Sequence, residues 1–147
     1  MQLSTKTRYA VRLLVRMARE PLGHVWRKQD LGRLEAIPVD YVAQILLMLK
    51  RAGLVGSQRG MMGGFVLAGD PRQVTVADVV EATDGPTVLV PCAKDARACE
   101  RSGECVVQEV WTGAGRVLET YFRGITIGQL AMEAARRKKA SGLSFDI

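Results

Sequence analysis

Between residues 8 and 19 apolar side chains return every three or four positions: Ala10, Val11, Leu14, Met17 and Ala18, with Arg12, Arg16 and Arg19 between them. That is the period of an α-helix with one wet face. Ser4 or Thr5 stands where a cap is needed, and Glu20-Pro21-Leu22-Gly23 ends the run. His24–Arg27 reads as a short strand or turn. Lys28–Glu35 reads as a short helix carrying Leu31 and Leu34, broken by Ala36-Ile37-Pro38. Pro38 suits the first turn of a third helix, where its missing N–H costs nothing. That helix runs to about Ala52, turns Val42, Ile45, Leu46 and Leu49 inward, and stops at Gly53. Two short helices across a tight turn are the pattern of a helix-turn-helix.

Leu54-Val55 and Phe65-Val66-Leu67 read as strands, and the glycine-rich Gly56–Gly64 between them as a hairpin tip. A hairpin directly after a helix-turn-helix is a wing. A fourth helix follows Val74-Thr75-Val76 and runs to about Thr83, with Thr75 as cap and Asp78 in the capping-box position. Asp84-Gly85-Pro86 closes it. Val106–Phe122 then carries a broad apolar stripe of Val106, Val107, Val110, Trp111, Ala114, Val117, Leu118, Tyr121 and Phe122. A chain this small has little left to cover it, so the same helix of a second copy is the natural cover. After Arg123-Gly124, Ile125-Thr126-Ile127 leads into a last helix through Lys138, with Thr126 as its cap and Ser141–Ile147 as a mobile tail. The predicted fold is mainly α with a small β-hairpin wing (α+β): a winged helix-turn-helix with a long C-terminal dimerisation helix. Residues 1–84 form the DNA-binding domain, 85–105 a cysteine-containing segment, and 106–147 the dimerisation helix, final helix and tail.

Charge sharpens this picture. The chain of 147 residues has a formal net charge of +6, and eleven Lys/Arg face only four Asp/Glu within residues 1–60. The remainder is close to neutral, so a polyanion would meet one basic module. No apolar run approaches the roughly 18 residues of a membrane span, and Met1–Thr7 lack the apolar stretch of a secretory signal. A cytoplasmic protein without a membrane partner is expected. One histidine, His24, lies far from every cysteine, and there is no P-loop or dinucleotide fingerprint. An enzyme with a small-molecule substrate is therefore not expected.

For DNA, the third helix is the natural reader of a major groove. Gln44 can pair with adenine through two hydrogen bonds, and Tyr41 can reach a phosphate or pack on a sugar. Lys50 and Arg51 suit backbone contact. Arg59 stands at the wing tip among small residues, where a guanidinium can enter a narrow minor groove. The N–H groups around it, at Gly60 and Gly63, can meet phosphates. Lys28, Arg8 and Lys6 are further phosphate candidates.

The chain's three cysteines, Cys92, Cys99 and Cys105, fall within fourteen residues in the spacing C-x6-C-x5-C. Three thiols cannot all pair within one chain, which argues against a secreted disulfide scaffold. Thiolates are soft ligands for iron–sulphur clusters, zinc or copper(I). Structural zinc usually takes tighter cysteine pairs, and longer separations let a loop wrap a larger object. Spacing alone leaves cluster, zinc and metal-free thiol chemistry open. For a fourth position, Glu100, Glu104, Gln108 and Glu109 lie nearer than His24.

Three stretches carry a resemblance: Met1–Val11, the run from Val42 to Val55, and Arg59-Gly60-Met61-Met62-Gly63-Gly64-Phe65-Val66-Leu67-Ala68. They resemble the bacterial winged-helix regulators that include IscR, NsrR and CymR, and Ile125–Leu130 resembles the start of their last helix. The resemblance covers about residues 1–135. It implies a homodimeric transcription regulator, expected to be a repressor, on a partly palindromic double-stranded DNA operator. Cys92, Cys99 and Cys105 would then ligate a 2Fe–2S or 4Fe–4S iron–sulphur cluster whose state tunes DNA affinity in response to iron–sulphur, redox or nitric oxide status. The alternative is a cluster-free winged-helix repressor controlled by thiol oxidation or a partner protein. The chain departs from its relatives at the fourth ligand. Gln108 stands where one branch has histidine, and Arg8 where another has aspartate. On the reading helix, Ala43 replaces a glutamate of the IscR-like branch.

Overall fold

The computed structural model describes residues 2–143. Its first helix, α1 (Thr5–Met17), begins three residues earlier than the apolar period predicts, because Ser4 Oγ accepts the Thr7 N–H at 3.1 Å. Ala10, Leu13, Leu14 and Met17 of α1 are buried. They meet α2 (Lys28–Glu35), α3 (Val39–Arg51) and α4 (Val76–Asp84) in a single core with Leu31, Val42, Ile45, Leu46, Leu49 and Val79. Ala36 makes the turn between α2 and α3 in the left-handed conformation, φ 53° and ψ 47°. Glu35 fastens that turn to α1, receiving Arg16 Nε at 2.6 Å and Arg12 at 3.2 Å. Pro38 serves as N-cap of α3 and stands just outside the first helical turn predicted for it.

The wing pairs β1 (Val55–Gln58) antiparallel to β2 (Gly64–Leu67), with Val55 opposite Leu67 and Gln58 opposite Gly64. Trp26 bridges Phe65 through both backbone hydrogen bonds, at 2.7 and 2.8 Å. The segment predicted as a short strand or turn is thus a one-residue third strand that seats the wing on the domain.

Thr75 and Asp78 form the expected capping box at α4. Two short 3₁₀ turns, Pro91–Ala93 and Ala96–Ala98, carry the chain to α5 (Val106–Arg123), and α6 (Ile127–Leu143) completes it. Thr126 caps α6, accepting the Gln129 N–H at 3.1 Å. Val74 and Ile125 exchange bonds with Ile127 and Val76, so the starts of α4 and α6 are stapled together and α6 lies along α1. The last helix runs five residues past Lys138. Ion pairs from Arg136 and Arg137 to Glu133, and a bond from Ser141 Oγ to the Arg137 carbonyl, continue it. Of the predicted tail, Ser141–Leu143 are helical, and residues 144–147 lie outside the described residues.

Candidate nucleic-acid interface and cysteine loop

The buried face of α3 is the predicted one, Val42, Ile45, Leu46 and Leu49. Opposite it, Asp40, Gln44, Leu47 and Arg51 are exposed at helical spacing, which leaves one side of the helix free to enter a groove. Leu47 is absent from the sequence-based set. Its spacing of three from Gln44 is the signal that would have found it, and an apolar side chain there suits a thymine methyl. Tyr41 is half-buried and meets Tyr9 edge-on, ring centroids 5.8 Å apart, so much of its ring is spent on packing. Lys50 reaches across to the wing, Nζ to Ser57 Oγ at 2.7 Å. That bond fixes the end of α3 relative to β1.

At the wing tip Arg59 is exposed. Gly60 adopts φ 109°, and the Gly63 N–H donates to its carbonyl at 2.9 Å, closing a four-residue turn. A Cβ on Gly63 would lie 2.3 Å from the Gln58 carbonyl oxygen, so the turn admits only glycine there. Lys28 opens α2, and with Arg27, Gln29 and Asp30 it faces Gly63 and Gly64 across an open groove. Arg27 and Gln29 were not singled out from sequence, although the Arg27-Lys28 pair at a helix start is a legible basic signal. Arg8 is exposed and donates to Thr5 Oγ1 at 3.0 Å, and Lys6 is half-buried near Asp84.

Cys92 lies half-buried in the first 3₁₀ turn, Cys99 is exposed just after the second, and Cys105 is the half-buried N-cap of α5. All three are free thiols. Among the described residues, no three His, Cys, Asp or Glu side chains are grouped to hold a metal ion. Gln108, in the position of the histidine ligand, is occupied otherwise. Its Nε2 donates to the Cys92 carbonyl at 2.8 Å, and its Oε1 accepts the Gly103 N–H at 3.3 Å. His24 sits edge-on to Trp26, 4.8 Å between ring centroids, beside the wing. As placed, these residues do not fit an iron–sulphur cluster: among the described residues the thiols form no metal-holding group, Gln108 is bonded within the loop, and His24 lies against Trp26 beside the wing.

On α5, Ala114, Leu118 and Phe122 are half-buried, but Val106 and Val117 are 78% and 70% exposed, and Val107, Val110, Trp111 and Tyr121 are exposed with them. The broad stripe is therefore covered on one side only. A cleft of about 600 Å³ between α1 and α6, floored by Trp26, Leu34 and Ala131, contains neither histidine nor cysteine. None of the described helices is long and apolar enough to cross a membrane.

This architecture has known relatives. The Rrf2 profile, described as "Iron-dependent Transcriptional regulator", matches residues 3–133. The chain belongs to the Rrf2 family. Protein rrf2 of Nitratidesulfovibrio vulgaris is 27% identical over 135 residues, 92% of this chain and 90% of that protein. The regulator IscR of Cronobacter sakazakii is 28% identical over 130 residues, 88% of this chain and 80% of that one. Among solved structures, CymR, the global cysteine regulator of B. subtilis, superposes with a TM-score of 0.74 at 25% identity, covering 90% of this chain and 98% of that one. This Rrf2-family chain is a winged-helix DNA-binding transcription regulator and not an enzyme.

Proposed function

We propose that the chain is a homodimeric repressor of the cluster-free kind: α3 and the wing grip an operator, and the thiols of the cysteine loop control the grip. The observation that carries this reading is the Gln108 clamp. It folds the loop around a hydrogen bond to Cys92 and leaves three free thiols, one of them exposed. An exposed thiol on an otherwise polar loop is open to oxidation or to capture by a partner protein. The similarity to a cysteine regulator, CymR, agrees with it. Division of labour follows the chain: residues 1–84 bind DNA, 85–105 sense, and 106–147 pair two copies through the uncovered side of α5. Paired copies place two reading helices on a partly palindromic site. A cytoplasmic setting, where thiols stay reduced until challenged, suits this control.

A second reading is favoured by the three thiols on one short loop and by the iron-dependence in the family description. In it, Cys92, Cys99 and Cys105 would hold a 2Fe–2S or 4Fe–4S cluster, a centre that supplies electron transfer and a target for oxidants or nitric oxide. The loop would first have to give up the Gln108 clamp. Protein purified without oxygen and assayed for iron, acid-labile sulphide and DNA binding separates the two. The thiol reading expects no iron and operator binding that changes on peroxide treatment and recovers with a dithiol. A stoichiometric visible chromophore whose removal alters binding would replace it with the cluster reading.

A further inference from the structure

Met61 and Met62 are 98% and 81% exposed, more than any other large apolar side chain among the described residues. They occupy the two central positions of the turn closed by the Gly63-to-Gly60 hydrogen bond. Such positions normally go to Gly, Asn, Asp, Ser or Pro. Two adjacent thioethers there gain nothing from the fold, since neither belongs to the core nor packs on it. Their surroundings are mainly cationic: Arg59 precedes them, Arg27 and Lys28 stand across the groove at Gly63 and Gly64 with Asp30 as the one acid beside them, and β1, the tip and β2 carry no acidic residue. A protein partner would have to match an apolar spot in a setting of net positive charge. The minor groove of DNA matches it directly, with phosphates along its edges, apolar sugar walls within, and base faces that open when a step unstacks.

We propose that Met61 and Met62 form a wedge that enters the DNA minor groove beside Arg59 and favours a flexible pyrimidine–purine step there. This rests on the DNA-binding reading and adds a second recognition element to it. The methionine side chain is unbranched and adapts to an irregular slot. An apolar side chain pressed between base pairs costs unstacking energy, least at TA and CA/TG steps, and kinks the duplex. Arg59 then supplies charge neutralisation and Met61-Met62 supplies step selection, two contributions that salt separates.

The test uses the full-length reduced chain and duplexes enriched from a random pool by the unaltered protein. Compared are the unaltered protein, the double variant Met61→Ser/Met62→Ser, which keeps the turn glycines, and Arg59→Ala. Readouts are affinity against salt, end-to-end energy transfer as a measure of bending, and affinity after each TA or CA/TG step is changed to AA. The wedge predicts that the double variant loses about tenfold in affinity. Its salt slope is unchanged, its bend is reduced, and its preference for the flexible step is lost. Arg59→Ala instead lowers the salt slope by about 1. A double variant with unaltered affinity, bend and step preference overturns the wedge while leaving DNA binding intact. So does one whose only defect is weaker self-association by sedimentation, which would assign the pair to a second copy. Failure of the unaltered protein to enrich any duplex overturns the DNA-binding reading and the wedge together.

Discussion

The Gln108 side chain donates to the Cys92 carbonyl across 2.8 Å and so ties the first turn of α5 to a 3₁₀ turn sixteen residues earlier. The oxygen of the same amide accepts the Gly103 N–H. One residue thus gathers both ends of the cysteine loop, using an amide's capacity to donate and accept at once. Gln108→Ala is expected to free the loop while leaving the helical core unchanged. Each lost hydrogen bond is worth about 0.5–1.5 kcal/mol, enough to raise local opening several-fold. Trypsin should cut faster after Lys94, Arg97 and Arg101, and Cys92 should alkylate faster, at an unchanged global unfolding midpoint. Equal cleavage and alkylation rates would show that the clamp does not hold the loop.

Thr7 and Thr83 join α1 to α4 inside the protein, their hydroxyl oxygens 2.6 Å apart, with Thr83 also donating to the Val79 carbonyl at 2.8 Å. Thr7 is 1% exposed. Either Thr→Val change alone takes one partner from the other hydroxyl, leaving Thr83 its Val79 carbonyl or Thr7 the Ser4 hydroxyl, whereas the double change removes both polar groups at conserved volume. The double variant should therefore cost less than the two single variants together, by about 0.5–1.5 kcal/mol. Urea titrations of the four proteins measure it, and additive midpoints would show the two hydroxyls to be independent.

Asp84 sits at the end of α4 and accepts the Ser4 N–H at 3.0 Å. Burial pushes its carboxyl upward, but hydrogen bonds from Ser4 and Thr7 and the nearby Lys6 outweigh this and hold it below the ordinary 3.8. A carboxylate held down in the folded chain stabilises it above that ordinary value, and the stabilisation fades as pH falls through the lower folded value. Glu133, drawn down to about 2 by its bonds from Arg136 and then Arg137, acts in the same direction on α6. Asp84→Asn should reduce stability near neutrality and flatten its decline below pH 4. Glu133→Gln should flatten the same window separately. Unfolding curves of Asp84→Asn that parallel the unaltered protein from pH 6 to 2 would remove Asp84 from the acid response.

What the sequence disclosed was local. Ala36-Ile37-Pro38 marks the turn, Thr75-x-x-Asp78 the cap, and Gly56–Gly64 the wing, each decided by residues within a few positions of one another. The pairing of Trp26 with Phe65 spans thirty-nine residues, and the hold of Gln108 on Cys92 has no local pattern to announce it. The spacing of the three thiols records reach and not direction, so by itself it leaves their ligand role open. Tyr41 reads from sequence as a phosphate or sugar contact, and only the neighbouring ring of Tyr9, thirty-two residues away, shows that it also packs inside the domain. Leu47 was hidden by its own hydrophobicity, since an apolar residue on a mostly apolar helix reads as core until the opposite face is known.

Gln44 and Lys50 should fail differently when removed. Gln44 projects from the open side of α3 with no partner in the described residues, and its amide can bond an adenine edge bidentately. Gln44→Ala should cost about 1–3 kcal/mol on the preferred duplex and relax preference at one base position, with salt dependence unaltered. Lys50 already donates to Ser57 on the wing, so its ammonium is held at the junction of reading helix and hairpin. Lys50→Ala should weaken all duplexes alike and lower the salt slope by about 1. Ser57→Ala serves as the control, because it releases the tether and keeps the charge. The salt slope should survive in Ser57→Ala, and binding should soften only as far as the wing loses its fixed angle. If Ser57→Ala instead reproduces Lys50→Ala in full, slope included, the lysine acts through the wing and not through a phosphate.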